Sequence, residues 1–169
     1  MRVLTAGETM VLLDGVEGGD LANGMPFALR VGGAESNFAI ALRRLGADVA
    51  WASRLGADPF GDLVLRTLAG EGVDLRWVAR DEAPTGVFFK WHEGGESRVL
   101  YRRAGSAASR LSPADVPDEA LAGVALVHLT GITMALSGTA RETVLSLARR
   151  ARERGCTVTF DPNYRPALW

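Results

Sequence analysis

The spacing of apolar residues along the chain predicts strands and helices that alternate at both ends of the sequence. Short apolar runs predict strands at Arg2–Ala6, Asp48–Leu55 and Val124–Leu129. Apolar residues three and four positions apart predict a helix over Ala34–Leu45, which Gly46 ends, and a helix from Asp58-Pro59 to Gly70. A third helix is predicted from Thr139 to Gly155, and Thr139 and Glu142 form a capping box at its start. This alternation is typical of a parallel sheet covered by helices.

Other segments follow the two-residue period of half-buried strands. This pattern occurs at Phe27–Val31 and Gly86–His92, and Met10–Leu13 is a further short apolar strand. Glu93-Gly94-Gly95-Glu96 is a hairpin loop that joins Gly86–His92 to Arg98–Arg103. The sequence therefore predicts a second, smaller sheet on the rim of the first, built from residues near 10–31 and 86–103.

The alternation within this rim sheet leaves large apolar side chains on both of its faces. Val87, Phe89 and Trp91 fall on one face, and Phe88 and Lys90 fall on the other. Because one apolar face needs a cover beyond a ligand site, we expect the rim sheet to be the contact surface of a homodimer.

Composition and charge exclude several classes of protein. The 169 residues are 47% hydrophobic and 23% charged, which is typical of a globular domain. A net charge of −1 gives no field for binding nucleic acid or an anionic membrane. Glu8 interrupts the apolar run at the N-terminus, and no stretch approaches the ~20 apolar residues that span a bilayer. Cys156 is the single cysteine, so the sequence predicts a cytoplasmic protein without an internal disulfide framework.

The familiar signatures of several enzyme classes do not occur in the sequence. There is no GxxxxGK[ST] loop, no GxGxxG and no paired Cys or His spacing, so the P-loop, dinucleotide-binding and structural zinc classes lack support. His128 is isolated in an apolar strand. It is either a hydrogen-bonded core residue, which we favour, or a catalytic base.

Polar residues at element ends and on one strand are the remaining candidates for chemistry. A Gly-Gly pair opens the segment 32–37 at a helix start, where backbone amides are free to bind oxygen atoms, although the same pattern also suits a tight turn. Tyr101 and Arg103 share one strand face, which is either a binding surface or an exposed polar face. Asn163 and Arg165 follow a buried strand at its carboxyl end, where open α/β sheets bind their ligands.

These segments together resemble the ribokinase-like (PfkB) sugar kinase family, most closely its 2-keto-3-deoxygluconate kinase branch. The resemblance rests on seven segments in the family's order: GGAESNFAIALRRLG at Gly32–Gly46, GADPFGD at Gly56–Asp62, EGVDL at Glu71–Leu75, PTG at Pro84–Gly86, RVLYRRAGSAAS at Arg98–Ser109, HLTGIT at His128–Thr133 and DPNYRPALW at Asp161–Trp169. It implies a partial three-layer α/β/α ribokinase-like fold with a small β-sheet lid, in which residues 1–169 are the N-terminal, sugar-binding part.

The resemblance also assigns roles to individual residues. The substrate would be a small sugar or sugar acid bound by Gly33, Ala34, Glu35, Ser36, Asn37, Phe88, Tyr101, Arg103 and Arg165. The cofactors would be ATP and Mg²⁺, with Asn163 and Arg165 at the nucleotide and no metal ligand in this chain. The reaction would be transfer of the γ-phosphate of ATP to a substrate hydroxyl.

Departures from the family's pattern leave alternatives open. Similar kinases often have tyrosine where this chain has Phe88 and a second aromatic residue where it has Arg102; a missing phenol removes ~0.5–1.5 kcal/mol of hydrogen bonding. The general-base aspartate and its GAGD-type turn are expected beyond residue 169, so we expect the 169 residues alone to lack kinase activity. The alternatives are a truncated noncatalytic product that binds a sugar or dimerises, or a kinase for fructose, ribose or a nucleoside.

Overall fold

Strands and helices in the computed structural model, which describes residues 1–16 and 20–169, follow the predicted order. The strands are β1 (Arg2–Ala6), β2 (Met10–Gly15), β3 (Phe27–Gly32), β4 (Asp48–Gly56), β5 (Asp74–Asp81), β6 (Val87–Glu93), β7 (Glu96–Arg102), β8 (Val124–Thr130) and β9 (Thr157–Asp161). The α-helices are α1 (Ala34–Arg44), α2 (Pro59–Gly70), α3 (Gly131–Met134) and α4 (Gly138–Glu153). Short 3₁₀ turns lie at Ala107–Arg110, Pro113–Asp115, Asp118–Leu121 and Pro166–Leu168.

The strands form two separate sheets. The larger sheet has five parallel strands in the order β5-β4-β1-β8-β9. The smaller sheet has four strands in the order β3-β2-β6-β7, in which β2 and β6 are parallel and the outer pairs are antiparallel. The prediction of a second sheet from the segments near 10–31 and 86–103 is therefore confirmed, although residues 17–19 of the first segment lie outside the described residues.

Apolar side chains pack on both faces of the larger sheet, which gives the predicted three layers. One buried cluster joins the strands to α4 and includes Leu4, Val127 and Leu147. The other joins them to α1 and α2 and includes Trp51 and Leu68. None of the helices in the described part of the chain is long and apolar enough to cross a membrane.

The starts of the helices depend on side-chain caps. The Asp58 carboxylate accepts a 2.7 Å hydrogen bond from the Gly61 N–H, as the Asp58-Pro59 sequence predicts. The predicted Thr139 cap of α4 is wrong. Ser137 is the cap, because its hydroxyl accepts from the Ala140 N–H at 3.1 Å and the helix begins at Gly138.

The smaller sheet is attached to the larger one through one part of a single face. Val11, Val31 and Val87 are cross-strand neighbours and pack with the α1 and α2 cluster. The opposite face of the same strands carries Met10 and Phe88, whose side chains line a cavity between the two sheets. The small sheet therefore forms one wall of the candidate site.

Candidate functional site

A cavity of about 690 Å³ lies where the small sheet meets the carboxyl ends of the larger sheet's strands. Open α/β sheets bind ligands at this edge, because loops from several strands converge there. Its walls come from four parts of the chain: Glu8 and Met10 near the start, Gly32, Gly33, Ala34 and Asn37 at the start of α1, Phe88 and Tyr101 from the small sheet with Arg103 and Ala104 just after it, and residues between Ile132 and Leu168 after β8 and β9.

The turn before α1 is tightly packed on the backbone that joins the two sheets. A Cβ atom on Gly33 would lie 2.3 Å from the Glu8 carbonyl oxygen, so only glycine fits there. Asn37 follows on the exposed side of the first turn of α1 and lines the cavity. The Gly32-Gly33 pair thus brings the start of α1 against the cavity, where free backbone amides of a first helical turn can bind an oxygen atom.

Aromatic rings form the wall contributed by the small sheet. Phe88 and Tyr101 are paired across β6 and β7, and their rings stack with centroids 5.5 Å apart. The guanidinium of Arg103 lies 5.6 Å from the centre of the Tyr101 ring. Arg103 and Tyr101 therefore present a cation and a phenol on the same side of the cavity, as their spacing predicts.

A buried ion pair lies behind this wall. Glu8 and Arg103 contact each other directly, and their side chains are only 1% and 11% exposed. The Ser106 hydroxyl donates a 2.7 Å hydrogen bond to the other Glu8 oxygen. Burial raises the pKa of Glu8, and the positive charge of Arg103 and the Ser106 hydrogen bond partly oppose this effect.

The segment after β9 supplies the opposite wall. The Asp161 carboxylate accepts a 2.9 Å hydrogen bond from the Asn163 N–H, and Asn163 has a φ of 37°, which few non-glycine residues adopt. This turn places Asn163 and Arg165 on the cavity. Among the described residues, no carboxylate lies within salt-bridge distance of Arg165.

A comparison of the sequence with protein families identifies a family for almost the whole chain. Residues 2–169 match the family described as pfkB family carbohydrate kinase. This chain belongs to that family.

Individual pfkB relatives resemble the chain over its whole length. It is 39% identical to a 2-dehydro-3-deoxygluconokinase of Bacillus subtilis, and the match covers 100% of this chain and 53% of the relative. A PfkB protein from Polaromonas superposes with a TM-score of 0.94 at 41% identity, over 99% of this chain and 57% of the other. A Pyrococcus horikoshii sugar kinase solved in complex with ATP has a TM-score of 0.89 at 29% identity, over 99% and 55%. The chain thus spans about half the length of the relatives it matches.

Most of the residues predicted for a pfkB sugar site lie around one cavity, and their roles in binding stay predictions. The cavity is lined by Gly33, Ala34, Asn37, Phe88, Tyr101, Arg103, Asn163 and Arg165. Glu35 and Ser36, which were expected at the sugar, do not line it, because both are fully buried below the first turn of α1. Helical geometry explains the difference, since only some residues of a first turn can face one cavity.

Glu35 instead joins elements of the pfkB core. Its Oε1 atom accepts hydrogen bonds from the Thr130 and Thr133 hydroxyls, at 2.6 and 2.5 Å. Burial raises the pKa of Glu35, and these hydrogen bonds partly oppose the effect. A Cβ atom on Gly7 would lie 2.3 Å from the Glu35 carboxyl carbon, so Gly7 leaves the space that Glu35 fills.

The sequence pattern gave only an indirect signal for Glu8. In the sequence, Glu8 is notable only because it interrupts the apolar run between β1 and β2. A carboxylate in such a position is an unusual choice for packing alone, because a buried charge needs a partner. That partner, Arg103, lies 95 residues further along the chain, so local pattern could not identify it.

His128 has a packing role. Its ring stacks on Phe38 with centroids 3.9 Å apart, and its Nδ1 atom is 3.0 Å from the Thr159 hydroxyl. His128 does not line the cavity, so the interpretation as a core residue is favoured.

The described residues do not by themselves fit an ATP or Mg²⁺ site. Asn163 and Arg165, predicted at the nucleotide, line the same cavity as the predicted sugar-binding residues. Within residues 1–16 and 20–169, no three His, Cys, Asp or Glu side chains are grouped so that they could hold a metal ion. What these residues can supply is binding and orientation of a polar, anionic ligand.

Proposed function

We propose that this chain is the sugar-binding part of a sugar-acid kinase, which transfers the γ-phosphate of ATP to a hydroxyl of a 2-keto-3-deoxygluconate-type substrate. The observation that carries the proposal is that Arg103 and Arg165, from two distant parts of the chain, line one cavity together with Tyr101. The 39% identity to a 2-dehydro-3-deoxygluconokinase over the whole chain supports the same substrate class.

The charge of the cavity favours an acid over a neutral sugar. A guanidinium binds a carboxylate with two parallel hydrogen bonds, and such charge-assisted bonds are about twice as strong as neutral ones. A neutral sugar would leave part of the Arg165 charge uncompensated while removing it from water. Fructose, ribose or a nucleoside is therefore the second choice of substrate for this site.

The remaining groups orient the substrate's hydroxyls. The backbone at Gly33 and Ala34 offers N–H groups, and the Asn37 and Asn163 amides offer both donors and acceptors. Phe88 and Tyr101 cover the apolar side of the sugar. Holding one hydroxyl in a fixed orientation is the contribution of these residues to phosphoryl transfer, a reaction dominated by positioning and electrostatics.

ATP as the phosphoryl donor is inferred from the kinase of known structure that was solved with ATP. A cytoplasmic location, and the lack of nucleic-acid and membrane partners, stay predictions from the sequence.

Direct binding tests this proposal without requiring turnover. Isothermal titration of the purified chain should give tighter binding for 2-keto-3-deoxygluconate than for fructose. Arg165→Ala should weaken binding of the acid by ~1.5–3 kcal/mol, or about 10- to 150-fold, and barely change fructose binding. Arg102→Ala is the matched control, because Arg102 is exposed on β7 beside the site and does not line the cavity. Equal binding of both ligands would contradict the sugar-acid assignment.

The alternative of a noncatalytic sugar-binding or dimerising product shares this binding behaviour. It would bind the ligand but gain no kinase activity when the remainder of a pfkB kinase is supplied. Mixing the chain with a separately produced C-terminal half of a relative, followed by an ADP-release assay with the sugar acid, separates the two. Sugar-dependent ADP release in the mixture alone supports the kinase, and its absence despite formation of a complex supports the alternative.

A further inference from the structure

The cavity wall contains the carboxylate of Glu8, although a negative charge does not help to bind an anion. Among the residues that the structure describes, three charged side chains line the cavity: Glu8, Arg103 and Arg165. An acid approaching Arg103 also approaches Glu8, since the two are in direct contact. A carboxylate at this place weakens anion binding unless its position serves another purpose.

The structure around Glu8 holds its side chain in one place. Ser106 donates to Oε1 at 2.7 Å, and a Cβ atom on Gly86 would lie 2.9 Å from the same oxygen. The Glu8 carbonyl oxygen is packed against Gly33. Ser106, after β7, and Gly86, just before β6, therefore confine this carboxylate, and the turn before α1 packs on the Glu8 backbone. The Glu8 side chain is 1% exposed.

Arg103, in turn, has a buried N–H group without an acceptor among the described residues. This is the Nε–H group, whereas Nη2 contacts the Glu8 carboxylate. Buried donors without an acceptor are costly, so an acceptor from a ligand would stabilise this arrangement. The long Arg103 side chain has many rotamers, and Glu8 and the Tyr101 ring restrict it.

We propose that Glu8 is a specificity-determining residue of the sugar-acid site: it holds the Arg103 guanidinium against the cavity and offsets its charge. Arg103 then recognises the ligand by the direction of its hydrogen bonds, and Arg165 supplies the unpaired positive charge. The site is thereby matched to a ligand with a single negative charge. This assignment rests on the proposed function, because it presumes that the cavity takes a sugar acid.

The charge balance has a consequence for the pH dependence of binding. The ionisable groups that face Glu8 are Arg103 beside it, Glu35 below it in α1 and Arg165 across the cavity. As pH falls, protonation of Glu8 removes a negative charge next to the ligand, so a sugar acid should bind more tightly to the wild-type chain at lower pH.

The test compares two substitutions of Glu8 in the full chain, with 2-keto-3-deoxygluconate and fructose as probes. Glu8→Gln keeps an acceptor for Ser106 and Arg103 but removes the charge. It should raise affinity for the acid at pH 7 by about threefold or more, leave fructose binding unchanged and abolish the tightening at lower pH. Glu8→Ala frees Arg103 and should weaken binding of both probes.

A spectroscopic readout separates positioning from a general loss of structure. The Arg103 Nε–H signal in an NMR spectrum, assigned with Arg103→Lys, should stay sharp in Glu8→Gln and broaden in Glu8→Ala. Equal losses for both probes in both variants, or an unchanged acid affinity and pH profile in Glu8→Gln, would overturn the role of Glu8 while leaving the proposed function intact. A wild-type chain that binds neither probe would instead contradict the proposed function and, with it, this assignment.

Discussion

The carboxyl group of Glu35 accepts a 2.6 Å hydrogen bond from the hydroxyl of Thr130, which ties the first turn of α1 to the end of β8. The two residues are 95 positions apart in the chain. Ala34, in that turn, and Ile132, two residues after the end of β8, both line the cavity. The hydrogen bond therefore holds the start of α1 and the segment after β8 in a fixed position relative to each other.

Glu35 should make the stability of the protein depend on pH. A carboxyl whose pKa is raised in the folded state holds its proton when the unfolded chain has released it, so stability is highest below the ordinary value of 4.5 and falls as pH rises above it. Glu35→Gln keeps the acceptor and does not ionise. We expect the free energy of unfolding of Glu35→Gln, minus that of wild type, to increase as pH rises above 4.5 in urea titrations. A difference that stays constant as pH rises would contradict a raised pKa for Glu35.

Gly33 should be intolerant of even one added carbon. Gly33→Ala places a Cβ atom 2.3 Å from the Glu8 carbonyl oxygen and 2.9 Å from the Ser36 hydroxyl, so the turn before α1 must move. We expect a loss of ligand affinity of about tenfold or more in titration calorimetry, because the backbone N–H groups shift. Gly70→Ala is the control, since nothing lies within 4 Å of its added carbon at the end of α2. Similar affinities for the two variants would contradict a role for the turn.

Asp58 should contribute to stability through two connections. One carboxylate oxygen caps α2 through Gly61, and the other accepts a 2.8 Å hydrogen bond from the Thr85 N–H, just before β6. Loss of a helix cap costs about 0.5–2 kcal/mol, and the Thr85 bond adds to this, so Asp58→Ala should lower the free energy of unfolding by about 1–3 kcal/mol. Asp62→Ala, in the same helix, removes only a half-exposed ion pair with Arg80 and should cost less than about 1 kcal/mol.

The small sheet should mediate association between two copies of the chain through the part of its Val11, Val31 and Val87 face that extends beyond the α1 and α2 cluster. Leu29, Leu13, Phe89 and Leu100 are aligned across the four strands, and Leu29 and Leu100 are 57% and 37% exposed. Leu100→Glu should shift the chain from dimer to monomer in analytical ultracentrifugation, because it places a charge in the apolar contact. Leu145→Glu on α4 is the control, because Leu145 is also exposed but lies away from the small sheet. A wild-type chain that is monomeric at high micromolar concentration would contradict this prediction.

Local pattern was sufficient for the fold because each element carries its own signal. The stripe Phe38, Ala41, Leu42 predicts α1, and the Asp58-Pro59 pair predicts the start of α2. Where two signals compete within a few residues, local pattern fails, as with Thr139 and Ser137 at the start of α4. Ser137 is the cap because its backbone is extended and it directly precedes the first helical residue, whereas Thr139 is already in the helix.

The site was harder to predict, because it depends on pairs that only the tertiary structure brings together. Glu35 looks like a ligand-binding residue in sequence, since it stands between Gly33 and Asn37, yet its side chain points into the core. Glu8 looks like an interruption of a strand, yet it lies at the cavity beside Arg103. The direction of a side chain and the identity of a distant charge partner are not encoded in local spacing.

The backbone crosses between the two sheets at four places: residues 7–9, Gly33, residues 82–86 and residues 103–106. Three of these crossings include residues that line the cavity, and the fourth, through Gly86, is packed against Glu8. Any rotation of the small sheet relative to the large one must therefore turn the backbone at the same residues that would hold a ligand. A ligand held by these residues would therefore restrict such a rotation, and a change in the angle between the two sheets would change the shape of the cavity.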